Sequence, residues 1–395
     1  MSVGDWILIV LAILATLPVA VLAVETLFAL LPGSKRSIHL TGPRPRCAIL
    51  IPAHNEEAGI AATLSHLQPE LVPGDRVIVV ADNCSDRTAE VARSAGAYAI
   101  ERHDTERRGK GYALDFGLSY LATDPPELVV VIDADTRVCP GSLEPLIRSA
   151  SIRQTPVQGV FTDAPRKRGP REQWSAFALT FKNHVRPLGL HRLGMPCLLT
   201  GSGMAFPWQV IRQAELGTGN IVEDMQLGID LALAGSSPRF CPEARFESDD
   251  APTATATTKR RTRWEHGHVR TLLTQVPRLL LAGILQLRPR LIVLACELGV
   301  PPLSLLLVCQ IILLLFSAVW WLAGGRFLPG AILLVAGATA AATILSAWWK
   351  FGRTLVSPKI LILLPIYVLW KIPIYLKLLF APERKWVRTD RKPTP

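Results

Sequence analysis

Sulfur has little to organise in this sequence. The seven cysteines, Cys47, Cys84, Cys139, Cys197, Cys241, Cys296 and Cys309, are scattered and odd in number, and no pair has zinc-ligand spacing. A structural zinc site and a disulfide framework are therefore not expected, since a cytoplasmic domain keeps its thiols reduced. Met1 to Asp5 carries no basic side chain, and the apolar stretch behind it is too long for a cleaved signal peptide. There is no internal repeat and no low-complexity tract, which sets aside repeat architectures. Gly109 and Lys110 lack the surrounding pattern of a Walker A loop. Acidic residues are outnumbered 32 to 43, for a formal net charge of +11. Basic stretches beside anionic lipid explain that surplus more simply than nucleic acid does, and no nucleic-acid partner is expected.

What the sequence does have is apolar mass at both ends of its 395 residues. Residues 6–31 are long enough to span a bilayer. Glu25 is the one ionisable residue near the inner end, read as a snorkelling or helix-packing side chain. Lys35, Arg36, Arg44 and Arg46 follow at once, which assigns that end and the charged middle of the chain to the cytoplasm. Residues 1–34 thus form a transmembrane segment and residues 35–268 a cytoplasmic domain. Residues 269–290 read as interfacial and amphipathic, because Pro277 and Arg278 interrupt them. Residues 291–382 hold two to three spans, and 383–395 form a basic tail. Residues 355–380 contain Pro365, Lys371 and Pro373, and an interfacial placement keeps the tail inside. A multi-pass protein of an inner or plasma membrane is expected, in contact with membrane lipid.

The middle domain is organised around residues 128–138, Leu-Val-Val-Val-Ile-Asp-Ala-Asp-Thr-Arg-Val. The β-branched run reads as a strand buried on both faces, and it stops at Asp133 and Asp135. Ligands of open α/β sheets sit beyond the carboxyl ends of the strands, where two carboxylates can hold Mg²⁺ or Mn²⁺. A solvated turn after a core strand is the plainer alternative. Further strands are predicted at 46–51, 76–80, 96–100, 157–162, 198–206 and 238–247, with helices at 59–67, 87–95, 112–122, 173–184 and 225–234. Strand–helix alternation implies right-handed crossovers and a parallel sheet. Pro52, Ala53, Asn55 and Glu57 leave the first strand, and Asp82 leaves the second. Helix capping accounts equally well for Asn55 to Glu57. Glycines beside Lys110 suit a backbone approach to phosphate. Gly201, Ser202 and Gly203 interrupt a predicted strand, as where a ligand comes close. Glu223 and Asp224 open a helix, a position its dipole favours without any catalysis. Lys259 to His268 concentrates cations, including Arg260 and Arg263, beside Trp264.

The ordered set Pro52-x-x-Asn55-Glu56, Asp82, Gly109-Lys110, Asp133-Ala134-Asp135, Glu223-Asp224 and Arg263-Trp264 resembles the membrane-bound family 2 glycosyltransferases, which include cellulose, chitin and hyaluronan synthase-like enzymes. The resemblance covers the whole middle domain. It implies a GT-A fold, a mixed α/β sheet with a Rossmann-like first half, flanked by transmembrane helices. By position it implies that Asp82 contacts the nucleotide base, helped by Pro52, Ala53, Asn55 and Glu57, and that Lys110 lies near the nucleotide. Asp133 and Asp135 would hold the diphosphate through Mg²⁺ or Mn²⁺, with Asp135 the direct ligand. Asp224 would be the general base, and Arg263 and Trp264 would close over diphosphate and acceptor. Inverting transfer needs one carboxylate as base and a cation for the departing diphosphate.

Three features depart from the family pattern. Arg260 stands where the family has Gln, Val222 stands where processive members have Thr, and the C-terminal membrane part is short for a polymer channel. The expected activity is therefore transfer from a nucleotide-sugar, with UDP implied by the family, to a lipid-linked or saccharide acceptor, in exopolysaccharide or glycolipid biosynthesis. Gly201, Ser202 and Glu223 are expected beside Arg260, Arg263 and Trp264 at the diphosphate and acceptor. A processive polysaccharide synthase, acting as a homo-oligomer or with export partners, is the alternative. A sugar-nucleotide nucleotidyltransferase is a remote one, since the membrane segments and Asp224 argue against it.

Overall fold

Three apolar runs and a partly exposed edge strand build the first half of the sheet in a computed structural model that describes residues 1–33, 42, 44–164, 169–217, 222–248 and 254–380, the side chains of 254–261 and 376–380 excepted. They are β1 (Cys47–Ala53), β2 (Arg76–Asp82), β3 (Tyr98–Arg102) and β4 (Leu128–Val131). The helices Ile60–Leu67, Thr88–Ser94 and Lys110–Leu121 alternate with them. All their pairings are parallel, in the order β3-β2-β1-β4. Period-two alternation sends Ile49, Ile51, Val79 and Val130 into one core and Leu50, Ile78, Val80 and Val129 into the other. Burial on both faces is why β1, β2 and β4 read as unbroken apolar runs.

The second half is mixed, as the resemblance implies, and the parallel pairing expected from strand–helix alternation holds for the first half. β5 (Thr136–Val138), β6 (Val157–Asp163), β7 (Met204–Pro207) and β8 (Arg239–Ser248) complete an eight-stranded sheet among the described residues, in the order β3-β2-β1-β4-β7-β6-β8-β5. β7 runs antiparallel to β4 and β6, β5 antiparallel to β8, and β6 parallel to β8. The strand expected at 198–206 begins only at Met204. Gly201 (φ +98°) and Gly203 (φ +69°) lie in the left-handed region, which ends an extended run. At Gly203 the Phe246 ring fills the space a Cβ would need, its Cδ2 2.2 Å from that position.

The chain divides into two compact units. The sheet belongs to residues 34–164 and 195–267, and the other unit comprises residues 1–33, 165–194 and 268–382. Within this second unit, three helices among the described residues are long and apolar enough to cross a membrane: Val3–Leu30, Leu303–Leu322 and Leu328–Gly352. Asp5 Oδ1 accepts from Trp320 Nε1 and from the Arg326 backbone N–H, both at 3.0 Å, so the first helix starts beside the turn joining the other two. At its far end Lys350 Nζ donates to Leu30 O (2.7 Å) and Arg192 Nη1 to Ala29 O (2.7 Å), cations placed at a helix C-terminus as its dipole favours. The helix expected at 173–184 starts at Pro170 and continues through a π turn (Phe181–Val185) to Arg192. Ala254–Leu285 is one helix, unbroken at Pro277. The last apolar block is helical over Pro358–Leu361 and Leu364–Phe380, shorter than the three long helices.

Candidate active site

β4 ends at Val131, and the backbone then turns, with Thr136 N donating to Asp133 O at 3.0 Å. This Asp-Ala-Asp turn is held from several sides. Ser202 Oγ accepts the Asp133 N–H at 3.0 Å and shares a hydrogen bond with Thr136 Oγ1 at 2.8 Å. Gln158 fixes the Ser202 loop in turn: its Nε2 donates to Ser202 O (2.9 Å) and its Oε1 accepts from Thr200 N (2.8 Å). Thr63 Oγ1 donates to Ala134 O at 2.7 Å. Ser202 and Gln158 are fully buried, so these bonds fix where both carboxylates can stand.

Lys110 opens its helix directly after Gly109, whose φ of +126° only glycine adopts readily. Its Nζ lies 2.5 Å from Asp133 Oδ1 and 3.8 Å from Glu223 Oε1, and donates to Gly201 O at 2.5 Å. Burial alone would lower the Lys110 pKa, but the carboxylates of Asp133, Glu223 and Asp224 raise it. Asp133 is pushed up by burial, drawn down by Lys110 and pushed up again by Asp135 and Asp224, with a net rise. Glu223 is raised to about 7, first by burial and then, against the pull of Lys110, by Asp224 and Asp133. Gly201 keeps the centre of this group open. A Cβ there would stand 3.1 Å from Asp224 Oδ2, 3.7 Å from Lys110 Nζ and 3.9 Å from Asp133 Oδ2. Six of the residues named from sequence, Lys110, Asp133, Gly201, Ser202, Glu223 and Asp224, thus meet at one place, with Asp135 beside Asp133.

A second group lies at the ends of β1 and β2. Pro52 and Ala53 are the last residues of β1. Asn55, at φ +54°, accepts from Ser85 N (2.7 Å) and donates to Ser85 Oγ (3.1 Å). Glu57 holds Arg87 through Oε1, 2.6 Å from Nη2, and its own backbone N–H meets Asp86. These side chains join two loops of the fold rather than cap the helix Ile60–Leu67, whose N-cap is Gly59 with no side-chain cap bond. Asp82 ends β2 and is buried, with Oδ1 accepting from Arg102 Nη1 (2.7 Å) and Asn83 Nδ2 (3.0 Å). Arg102 was hidden in a charged stretch of sequence. Its signal is strand register: Asp82 and Arg102 are partners at the ends of β2 and β3.

Arg263 and Trp264 are half-buried on the helix Ala254–Leu285. Arg260 lies on the same helix, with its side chain outside the described residues. Among the described residues no three histidine, cysteine or acidic side chains converge as a metal cage. Asp133 and Asp135 offer two carboxylates, a donor set that suits a hard cation sharing its other positions with phosphate oxygens and water.

The family model of glycosyltransferase-like family 2 matches residues 43–267, more than half of the chain. The chain belongs to that family. A probable glycosyltransferase of Bacillus subtilis, YdaM, is 35% identical over 99 residues, covering 23% of this chain and 23% of that protein. The 4,4'-diaponeurosporenoate glycosyltransferase of Staphylococcus aureus is 39% identical over 90 residues, covering 22% of this chain and 23% of the relative. The chain thus spans about a quarter of the length of these relatives. Among solved structures it resembles a mannosyltransferase from Pyrobaculum calidifontis, determined with GDP-Man and Mn²⁺ (TM-score 0.53, 19% identity, 95% of this chain and 100% of that one). The fold is GT-A.

Proposed function

We propose that this protein is a glycosyltransferase that moves a sugar, with inversion and with the help of a divalent cation, from a nucleotide-sugar to a lipid-linked or saccharide acceptor at the cytoplasmic face of a membrane. The convergence of Lys110, Asp133 and Asp224 around the space left by Gly201 carries this reading. Asp133, Asp135, Glu223 and Asp224 outnumber the one ammonium among them, so an anionic diphosphate would enter only with a cation between it and the acids. Asp135 and Asp133 would hold Mg²⁺ or Mn²⁺, the ion present in the Pyrobaculum enzyme. When bound, such an ion neutralises charge on the departing diphosphate.

The chain's own residues divide the remaining work. Asp82, with the backbone at Pro52 and Ala53 and the loop held by Asn55 and Glu57, meets the base. Lys110 turns its ammonium from Asp133 to a phosphate oxygen. Asp224 takes the proton of the acceptor hydroxyl as that oxygen attacks the anomeric carbon and the diphosphate leaves from the opposite side. Glu223 stands beside Lys110 and sets its charge. Arg263, Trp264 and Arg260 close over diphosphate and acceptor. The three membrane-length helices and the cations Arg192 and Lys350 at one end of the bundle support a cytoplasmic site close to lipid.

The test is nucleoside-diphosphate release by the purified full chain in lipid nanodiscs, across a panel of sugar nucleotides with Mn²⁺ or Mg²⁺. Release from one donor, lost in Asp224→Asn and Asp135→Ala, is the expected result. Full turnover by a folded Asp224→Asn protein removes the general base. Undiminished activity of Asp135→Ala in excess chelator removes the metal.

A further inference from the structure

Asp82 is not a free carboxylate. Both hydrogen bonds it accepts from its neighbours fall on the same oxygen. Arg102 Nη1 reaches Oδ1 at 2.7 Å and Asn83 Nδ2 reaches it at 3.0 Å. A carboxylate oxygen has about two lone-pair sites, so Oδ1 is filled. Among the described residues no side chain or backbone group donates to Oδ2, and Asp82 sits at the carboxyl end of β2, where the crevice lies.

Arg102 is itself held rigidly. Its Nη2 pairs with Asp104 Oδ2 at 2.9 Å, its Nη1 also donates to Arg107 O at 2.8 Å, and its guanidinium lies 5.7 Å from the centre of the Tyr112 ring. Asp104 Oδ1 in turn accepts the backbone N–H groups of Glu106 (3.0 Å) and Arg107 (2.9 Å). Asn83, at φ +52°, is locked by accepting Asp104 N at 2.8 Å and by donating its own backbone N–H to Arg102 O at 2.7 Å. Neither donor can swing away from Oδ1 without undoing the loop that leads to Gly109 and Lys110.

We propose that Arg102 is a specificity-determining and positioning residue. By filling Oδ1 it makes Asp82 a one-oxygen acceptor, which selects a base whose edge presents one N–H between two carbonyls, as uracil and thymine do. It selects against guanine, whose adjacent N1–H and N2–H₂ need both oxygens of a carboxylate. This rests on the reading that Asp82 meets the nucleotide base. A buried donor left without an acceptor loses about tenfold or more in affinity, and that sets the expected discrimination.

The experiment measures binding of UDP and of GDP, each with Mn²⁺, to the full chain in nanodiscs, alongside the Arg102→Met and Arg102→Lys variants and their melting temperatures. The wild type should bind UDP at least about tenfold more tightly than GDP. Arg102→Met removes one of the two donors from Oδ1, so the UDP-to-GDP ratio should fall toward one, chiefly by gain of GDP affinity. Arg102→Lys, which keeps one cation within reach of Oδ1, should retain an intermediate ratio. Wild-type protein that binds GDP as tightly as UDP overturns the proposal even if Arg102→Met fails to fold. An Arg102→Met protein that weakens both nucleotides by the same factor also overturns it, because a purely structural role predicts that result. Binding of neither nucleotide by folded wild type refutes the nucleotide-sugar reading itself, whereas tight binding of both refutes only the selectivity.

Discussion

The Lys110 ammonium stands 2.5 Å from Asp133 Oδ1, on a carboxylate proposed to face a divalent cation. Two cations cannot share that oxygen at full strength, so Lys110 and the metal compete until a diphosphate draws the ammonium away. Removing the ammonium should therefore act in opposite directions on the two ligands. Lys110→Met is expected to bind Mn²⁺ more tightly in the absence of nucleotide at pH 8, measured by isothermal titration calorimetry. It should also lose about 100-fold in turnover, the loss typical when a group that stabilises developing charge is removed. Weaker Mn²⁺ binding by Lys110→Met would contradict the competition.

Gly201 separates the cost of a backbone conformation from the cost of filled space. At φ +98° any other residue is strained by about 1–2 kcal/mol, and the added Cβ would stand 3.1 Å from Asp224 Oδ2. Gly235 has a similar φ (+107°) with nothing within 4 Å of a Cβ. Gly201→Ala and Gly235→Ala should thus lower the melting temperature by similar amounts, while only Gly201→Ala loses turnover, by at least about tenfold. Equal activity in the two variants would show that the space beside Asp224 is not used.

The sequence made some of this legible and hid the rest for physical reasons. β1, β2 and β4 are buried on both faces, so their apolar runs are continuous, and Asp82, Asp133 and Asp135 stand out as the polar residues where those runs stop. β5 has no signal of its own, because the β-branched run stops at Asp133 and Asp135. It is a separate strand of three residues, Thr136–Val138, and a turn of four residues inside an apolar stretch leaves no periodicity to detect. Gln158 lies in the strand predicted at 157–162, and nothing in the sequence singles it out. Its function depends on Thr200 and Ser202, which only the antiparallel arrival of β7 brings near. Arg102 belonged to a stretch dense in charge, and only the register of β2 against β3 singles it out. Glu25 was read as a packing or snorkelling residue without a named partner, because Arg186 lies far along the chain.

That pair gives the third prediction. Arg186 Nε lies 2.5 Å from Glu25 Oε2, with both side chains almost fully buried, and Arg186 Nη2 also donates to Glu297 O at 2.7 Å. Removing one partner strands a buried charge, at a cost of about 3–5 kcal/mol. Glu25→Met and Arg186→Met should each lower the melting temperature in detergent sharply. The double variant removes both charges together and should be less destabilised than the two single losses added. A strictly additive double variant would mean that the two side chains do not stabilise each other.

His268 makes stability depend on pH in a direction the geometry fixes. The ring is 3% exposed, and its Nε2–H donates to Leu298 O at 3.2 Å. Burial lowers its pKa to about 3, and the positive charges of Lys182 and Arg186 add to that shift. The folded protein therefore keeps the ring neutral, while the unfolded chain takes up a proton as pH falls through the ordinary histidine value near 6.5. Stability from this group is fully present above that value and is lost progressively as pH falls toward 3, at about 1.4 kcal/mol per pH unit. By pH 5 the loss should reach about 2 kcal/mol. His268→Gln keeps an N–H donor for Leu298 O and cannot titrate. Its melting temperature should thus fall less between pH 7.5 and pH 5 than that of the wild type, although it starts lower at pH 7.5. Parallel pH profiles for the two proteins would mean that His268 is protonated, or solvated, in the folded state.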